Sequence, residues 1–134
     1  MSASNATEND LLEMVCKGTD PSWRASATGY WALFTGDPGE TGSLAAECAY
    51  TGYARVAQTK ATAWDDGGSS FTNAALVQWP LCTGGSETAT HFAWVSSSSG
   101  ATDFMVSGAL SSSLAISNGI RPQADAGELE ITAD

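Results

Sequence analysis

Turn-forming clusters punctuate the chain repeatedly from Gly29 onward, and this punctuation constrains the fold more than any other feature. The clusters are Gly36-Asp37-Pro38-Gly39, Asp65-Asp66-Gly67-Gly68, Thr83-Gly84-Gly85-Ser86, Ser97-Ser98-Ser99-Gly100 and Asn118-Gly119. Asp and Gly tolerate the backbone angles that tight turns need. Between them lie runs too short for stable helices and rich in aromatic and β-branched residues. Tyr30–Thr35 is apolar on both alternations, which predicts a central strand covered on both faces. Tyr53–Thr59 reads as a second strand, its pattern running on toward Trp64. Ala74–Trp79, Thr90–Ser96, Asp103–Leu110 and Leu114–Ser117 follow, with Ser111-Ser112-Ser113 as a polar turn. The last strand is Gly127–Thr132, with Leu129 and Ile131 inward and Glu128 and Glu130 outward. The expected fold is mainly β: a compact antiparallel β-sandwich or small barrel with one short N-terminal helix.

That helix is predicted over residues 8–17, after a short polar arm at residues 1–7. Thr7 is placed to cap it, Glu8 and Asp10 complement the positive end of its dipole, and Gly18 is the stop. Leu11, Leu12 and Val15 form an apolar stripe expected to pack on the sheet or on a neighbouring copy. The whole chain, residues 1–134, reads as one domain with strands over residues 29–132, since composition nowhere shifts and 134 residues suit a single core.

Charge excludes some partners. Only 15% of residues are charged, against ~25% in an ordinary soluble domain. Fifteen acids outweigh five bases, for a net charge of −10. Lys17, Arg24, Arg55, Lys60 and Arg121 are scattered, so neither nucleic acid nor an anionic membrane is an expected partner. No apolar stretch reaches the ~18 residues of a membrane span. Residues 1–10 lack the basic and apolar regions of a secretory signal.

Catalytic chemistry finds no constellation. His91 is the only histidine, without a nucleophile elbow or a papain-like cysteine context. The acids at Asp37/Glu40 and Asp65/Asp66 sit in turns, not across a rigid cleft, and neither pair spells a calcium loop. Cys16, Cys48 and Cys82 are too few and too separated for a zinc site and are expected as free, mostly buried thiols. The expectation is a non-enzymatic protein with no cofactor and no metal. Of five tryptophans, most belong in the core. Trp23, in the loop Pro21-Ser22-Trp23-Arg24, is a candidate for contact with another subunit, together with Arg24. It serves equally well as an intramolecular lid.

Several runs resemble a family of short tailed-bacteriophage virion proteins, the small phage tail fibre proteins. The run Glu8-Asn9-Asp10-Leu11-Leu12 is similar to the family's helix. Tyr30-Trp31-Ala32-Leu33-Phe34-Thr35-Gly36-Asp37-Pro38-Gly39-Glu40 is similar to its aromatic strand and turn. Glu47 stands where the family has a lone Glu, and Gly52-Tyr53-Ala54-Arg55 matches at four of four positions. Phe71–Ala75, Thr90–Trp94 and Ala126–Thr132 continue the likeness, which spans about residues 8–132. The chain departs from the family at Ser97-Ser98-Ser99-Gly100, where a Gly-rich apolar hairpin is expected.

The resemblance implies a structural protein of the virion, assembled in the host bacterial cytoplasm. Glu47 and Arg55 are then either solvated charges or an ion pair, within the subunit or between copies, that fixes a loop over a strand. The expected partners are other copies of the chain and other virion proteins, the major capsid protein foremost. A literal fibre needs an extensible repeat or heptad, and neither is present. A capsid-surface decoration or cement protein is therefore the leading expectation. A tail or fibre component, or a carbohydrate-binding receptor module, is the alternative. The candidate interface residues are Trp23, Arg24, Glu47, Arg55, Leu11 and Leu12.

Overall fold

A computed structural model of the chain describes residues 3–132. Three antiparallel sheets build a sandwich-like domain. The principal layer is a four-stranded sheet in the order β2-β1-β6-β7. Its strands are β1 (Thr28–Phe34), β2 (Val56–Thr59), β6 (Ser86–Val95) and β7 (Met105–Ser117). Against it lie β3 (Trp64–Asp66), β4 (Ser70–Asn73) and β9 (Glu130–Thr132), and the pair β5 (Val77–Gln78) and β8 (Gln123–Ala124). Among the described strands no sheet closes on itself, so the sandwich expectation holds and the barrel does not.

The apolar run of β1 is central, as its two-sided pattern predicts. Trp31, Ala32, Leu33 and Phe34 are fully buried, and Tyr30 is half-buried. Trp31 and Leu33 face the main core with Phe92 and Trp94, meeting Ala63, Val77, Trp79 and Leu129 from the opposite layer. The Trp31 ring lies 4.7 Å from Trp64 and 4.6 Å from Trp94, close enough for tilted aromatic packing. Trp94 in turn occupies the space where a side chain at residue 29 would begin, its ring 2.1 Å from that position, so Gly29 has steric work to do. Ala32 and Phe34 face the other way, into a second cluster with Ala93, Val95 and Met105. The loop after β1 and the N-terminal segment lie along this side, through bonds from Thr35 N–H to Ala46 O, Asn5 N–H to Glu40 O and Ser4 N–H to Met105 O.

The helix α1 spans Asn5–Lys17, three residues longer at its start than predicted. Ser4, not Thr7, is the cap, because the Thr7 side chain is used elsewhere. Buried Thr7 accepts the Met105 N–H at 2.9 Å and donates to the Met105 carbonyl, imitating a strand partner. Gly18 does end the helix, in the left-handed conformation at φ 68. The arm expected at residues 1–7 is anchored where it is described: Ala3 and Ser4 are buried and Ala3 bridges Val106; residues 1–2 lie outside the described residues.

Of the two packings expected for the apolar stripe, the one on the sheet is not taken by Leu12 and Val15. Leu12 and Val15 are 61% and 78% exposed, and Leu11 is half-buried. Thr7 fixes the rotation of the helix, and this turns the Leu12–Val15 side outward.

Other boundaries moved for local reasons. The second strand begins only at Val56, and a single helical turn, α2 (Lys60–Ala63), interrupts its continuation and places Ala63 in the core. A 3-10 turn at Ser22–Ala25 carries Trp23. The Asp65–Gly68 turn closes a hairpin as expected, but between β3 and β4. The run predicted as a strand from Ala74 is shortened to β5. Buried Asn73 bends the chain there, donating to the Ala75 and Asp125 carbonyls and accepting the Leu129 N–H. The two strands predicted at 103–110 and 114–117 are one, β7. Its pairing with β6 slips from Ala89↔Leu114 to His91↔Ala109, so the serine run is a bulge, not a turn. The last strand shortens to β9, with Leu129 fully buried just before it.

Candidate functional site

The charges singled out by the sequence meet. The Arg55 side chain is 2% exposed and Glu47 16%. Arg55 Nε donates to one Glu47 carboxylate oxygen at 2.7 Å, and a terminal nitrogen donates to the other at 2.8 Å. The pair is thus a two-point fork within one subunit. The remaining donors reach the hairpin between β6 and β7: the Ser97 carbonyl at 2.8 Å and the Gly100 carbonyl at 2.9 Å. The Tyr53 hydroxyl donates to Glu47 at 2.8 Å and accepts the Leu33 N–H, joining the fork to β1. The Glu47 hydrogen bonds hold the Arg55 guanidinium charged, raising its pKa despite burial. Burial and the neighbouring Glu47 charge raise that of Tyr53.

Beside the fork, Glu87 accepts the Ala49 N–H with both oxygens, at 3.0 and 2.9 Å, and the Tyr50 N–H at 3.1 Å. Burial, with Glu87 and Glu47 near, pushes the Cys48 thiol up to about 12. Cys48 and Cys82 are free and buried, and Cys16 is free and exposed. The sequence carried no local sign of Glu87, which acts on residues far from it in the chain. The arrangement ties the connection between β1 and β2 to the β6–β7 hairpin, and anchors it on β1 through Leu33 and on β6 through Glu87. Its bonds are all internal, so it is a clamp.

Trp23 is an intramolecular lid. Its indole N–H donates to Asp10 at 2.8 Å, tying the 3-10 turn to α1, and its ring meets Phe104 edge-on at 5.3 Å. Lys60 donates to the Trp23 carbonyl at 2.7 Å and lies over both rings, 5.7 Å from Trp23 and 5.1 Å from Phe104. Burial lowers the Lys60 pKa. Arg24 is exposed and pairs with Asp20, four residues earlier. The turn acids act as turn formers: Asp37 accepts the Gly39 N–H and Asp66 the Gly68 N–H, each at 2.8 Å. His91 bonds the Thr90 hydroxyl at 2.9 Å and lines a polar hollow with Asp37, Glu40 and Ser107.

Among the described residues three apolar features stand out, beside Leu76, which is 47% exposed. One is the Leu12–Val15 side of α1. A second is a groove of about 250 Å³ lined by Trp64, Phe71, Trp94, Val106 and Ile131, with Ser69 and Thr132 as its polar side chains. The third is an outer ridge where Leu81 and Ile120 are 40% and 43% exposed. Cys82 N–H bonds the Ile120 carbonyl there, and Gly119 N–H the Cys82 carbonyl, which brings Leu81, Ile120 and Arg121 together.

The domain is thus a β-sandwich with an internal charged clamp and with apolar side chains left on its outside. The chain belongs to the family described as podophage GP4 fiber I protein gp80, whose pattern matches residues 2–132. That family is of the phage tail fibre type, and the chain is accordingly a structural component of the virion. No curated protein matches it.

Proposed function

We propose that this chain works without catalysis, as a compact knob or collar unit of a phage fibre or tail, joining other virion proteins by packing. The observation that carries this reading is the outward side of α1. Leu12 and Val15 stay exposed on a helix that its own chain caps at both ends, so the helix needs no partner to form but keeps apolar surface for one. The description of the family as a fiber protein supports the tail placement. A capsid-surface decoration, with the major capsid protein as partner, is the second reading; the single sandwich, without an extensible element among the described residues, favours it. The glycan reading is weaker. The aromatic groove has two hydroxyl side chains among its lining, and a sugar site needs convergent hydrogen-bonding groups beside its stacking rings.

Immunogold labelling of virions tests this. Label confined to the tail supports the first placement, and label spread over the head supports the second. Virions free of label would refute both. Sugar titration should leave the tryptophan fluorescence unchanged, and a saturable shift would restore the glycan-binding module.

A further inference from the structure

We propose that copies of this chain join head to tail, the outer side of α1 in one copy seating on the Leu81–Ile120–Arg121 ridge of the next. The inference rests on the packing reading above and names a partner for it.

The donor is a line of three residues at i, i+4 and i+7, Glu8, Leu12 and Val15, which share one side of an α-helix. Glu8 is half-exposed and the two apolar residues are largely exposed. The helix is acidic, with Glu8, Asp10 and Glu13 against Lys17.

The receiver must supply apolar surface and a positive charge, and cations are scarce on a chain of net charge −10. Four of the five are already engaged. Lys17 pairs with Glu13, Arg24 with Asp20 and Arg55 with Glu47, and Lys60 is held by the Trp23 carbonyl. Arg121 is exposed and makes no ion pair among the described residues. It stands beside exposed Leu81 and Ile120. The ridge is therefore the apolar surface that attracts the acidic helix, as complementary interfaces do. The Trp64–Phe71 groove does not fit this helix. The strand register puts Asp66 on the same face as Phe71 and Ile131, and that charge repels the acids of α1.

Donor and receiver are different residues, so the contact is heterologous, and each copy gives one half and receives the other. Three side chains a side bury far less than the ~800 Å² per partner of a stable pair. A single contact is then weak in solution and gains strength when a scaffold holds many copies at once.

Sedimentation equilibrium of the purified full chain, up to ~1 mM protein in about 0.15 M salt, tests the proposal. The weight-average mass should rise with concentration. Leu12→Asp and Ile120→Asp should each hold the protein monomeric with an unchanged melting temperature. Mixed in equal amounts they should form a one-to-one dimer, because each keeps the half that the other lacks. Should Ile120→Asp melt early, Arg121→Glu takes its place, and it should weaken association at least about tenfold. Glu8→Lys should restore association to Arg121→Glu. A wild type that stays monomeric at ~1 mM, variants that associate like wild type, or a mixture that fails to dimerise would each overturn the contact. None of these results touches virion labelling, so the packing function stands or falls separately.

Discussion

Replacing Arg55 with alanine should unfold this protein far more readily than the loss of an exposed arginine would. The substitution removes four hydrogen bonds at once, two to Glu47 and one each to the Ser97 and Gly100 carbonyls. Glu47 keeps the Tyr53 hydroxyl but loses its counter-charge in a site where it is 16% exposed. Stranding one partner of a buried ion pair costs roughly 3–5 kcal/mol. A domain of this size shifts by about 4 °C per kcal/mol, so the melting temperature should drop by roughly 10–20 °C. Urea unfolding followed by tryptophan fluorescence, together with calorimetry, measures both quantities. Glu47→Gln combined with Arg55→Met removes both charges and should be less damaging than the single changes sum to, by about 1–3 kcal/mol. A loss below about 1 kcal/mol for Arg55→Ala is what an exposed pair gives, and would refute the clamp.

Phe34→Ala empties a fully buried site in the second core cluster and should cost roughly 3–5 kcal/mol in chemical denaturation; a loss under about 1 kcal/mol would place β1 at an edge. Ser4→Ala removes the oxygen that caps α1 through the Thr7 N–H at 3.4 Å and should cost about 1 kcal/mol, read as a lower melting temperature and reduced helical circular dichroism. Stability should also fall in alkali. The Cys48 thiol rises from 9.0 to about 12 on folding, so the unfolded chain releases its proton first. The stabilisation is complete below pH 9.0 and disappears as pH climbs toward 12. Cys48→Ala should flatten that part of the pH profile, and an identical slope in the variant would assign the effect to other groups.

The strands that speak for themselves are those whose own residues fill the core. The run Tyr30–Phe34 is apolar on both alternations and lies buried on both faces. The Asp65–Gly68 hairpin is equally local. Readings failed where a distant partner decided. Nothing near Thr7 reveals that its hydroxyl bonds a strand 98 residues away and so turns the Leu12 side of the helix outward. Three serines look like a turn until β6 pairs on both sides of them and makes them a bulge. The short strands β5 and β8 depend on each other with β6 and β7 lying between them in the chain, and two residues carry too little pattern to be seen. Of the candidate residues, Glu47 and Arg55 were visible as a pair and Trp23 as a possible lid. Tyr53 stood in the matched run Gly52–Arg55 without its role showing, and Glu87 and Lys60, which complete those sites, act by position and carry no motif.

Arg55 grips the hairpin at Ser97 and Gly100 by main-chain oxygens alone. Every amino acid offers the same carbonyl, so the hold does not depend on which side chains the hairpin carries there. The serines found where a Gly-rich apolar turn was expected are one such tenant. The address of this tip is written in Arg55 and Glu47, outside the tip itself. The grip of Arg55 therefore asks nothing of the side chains at the tip, and the local demands there are the turn's own: Ser97 bonds the Ala101 carbonyl, and Gly100 takes the left-handed conformation at φ 67.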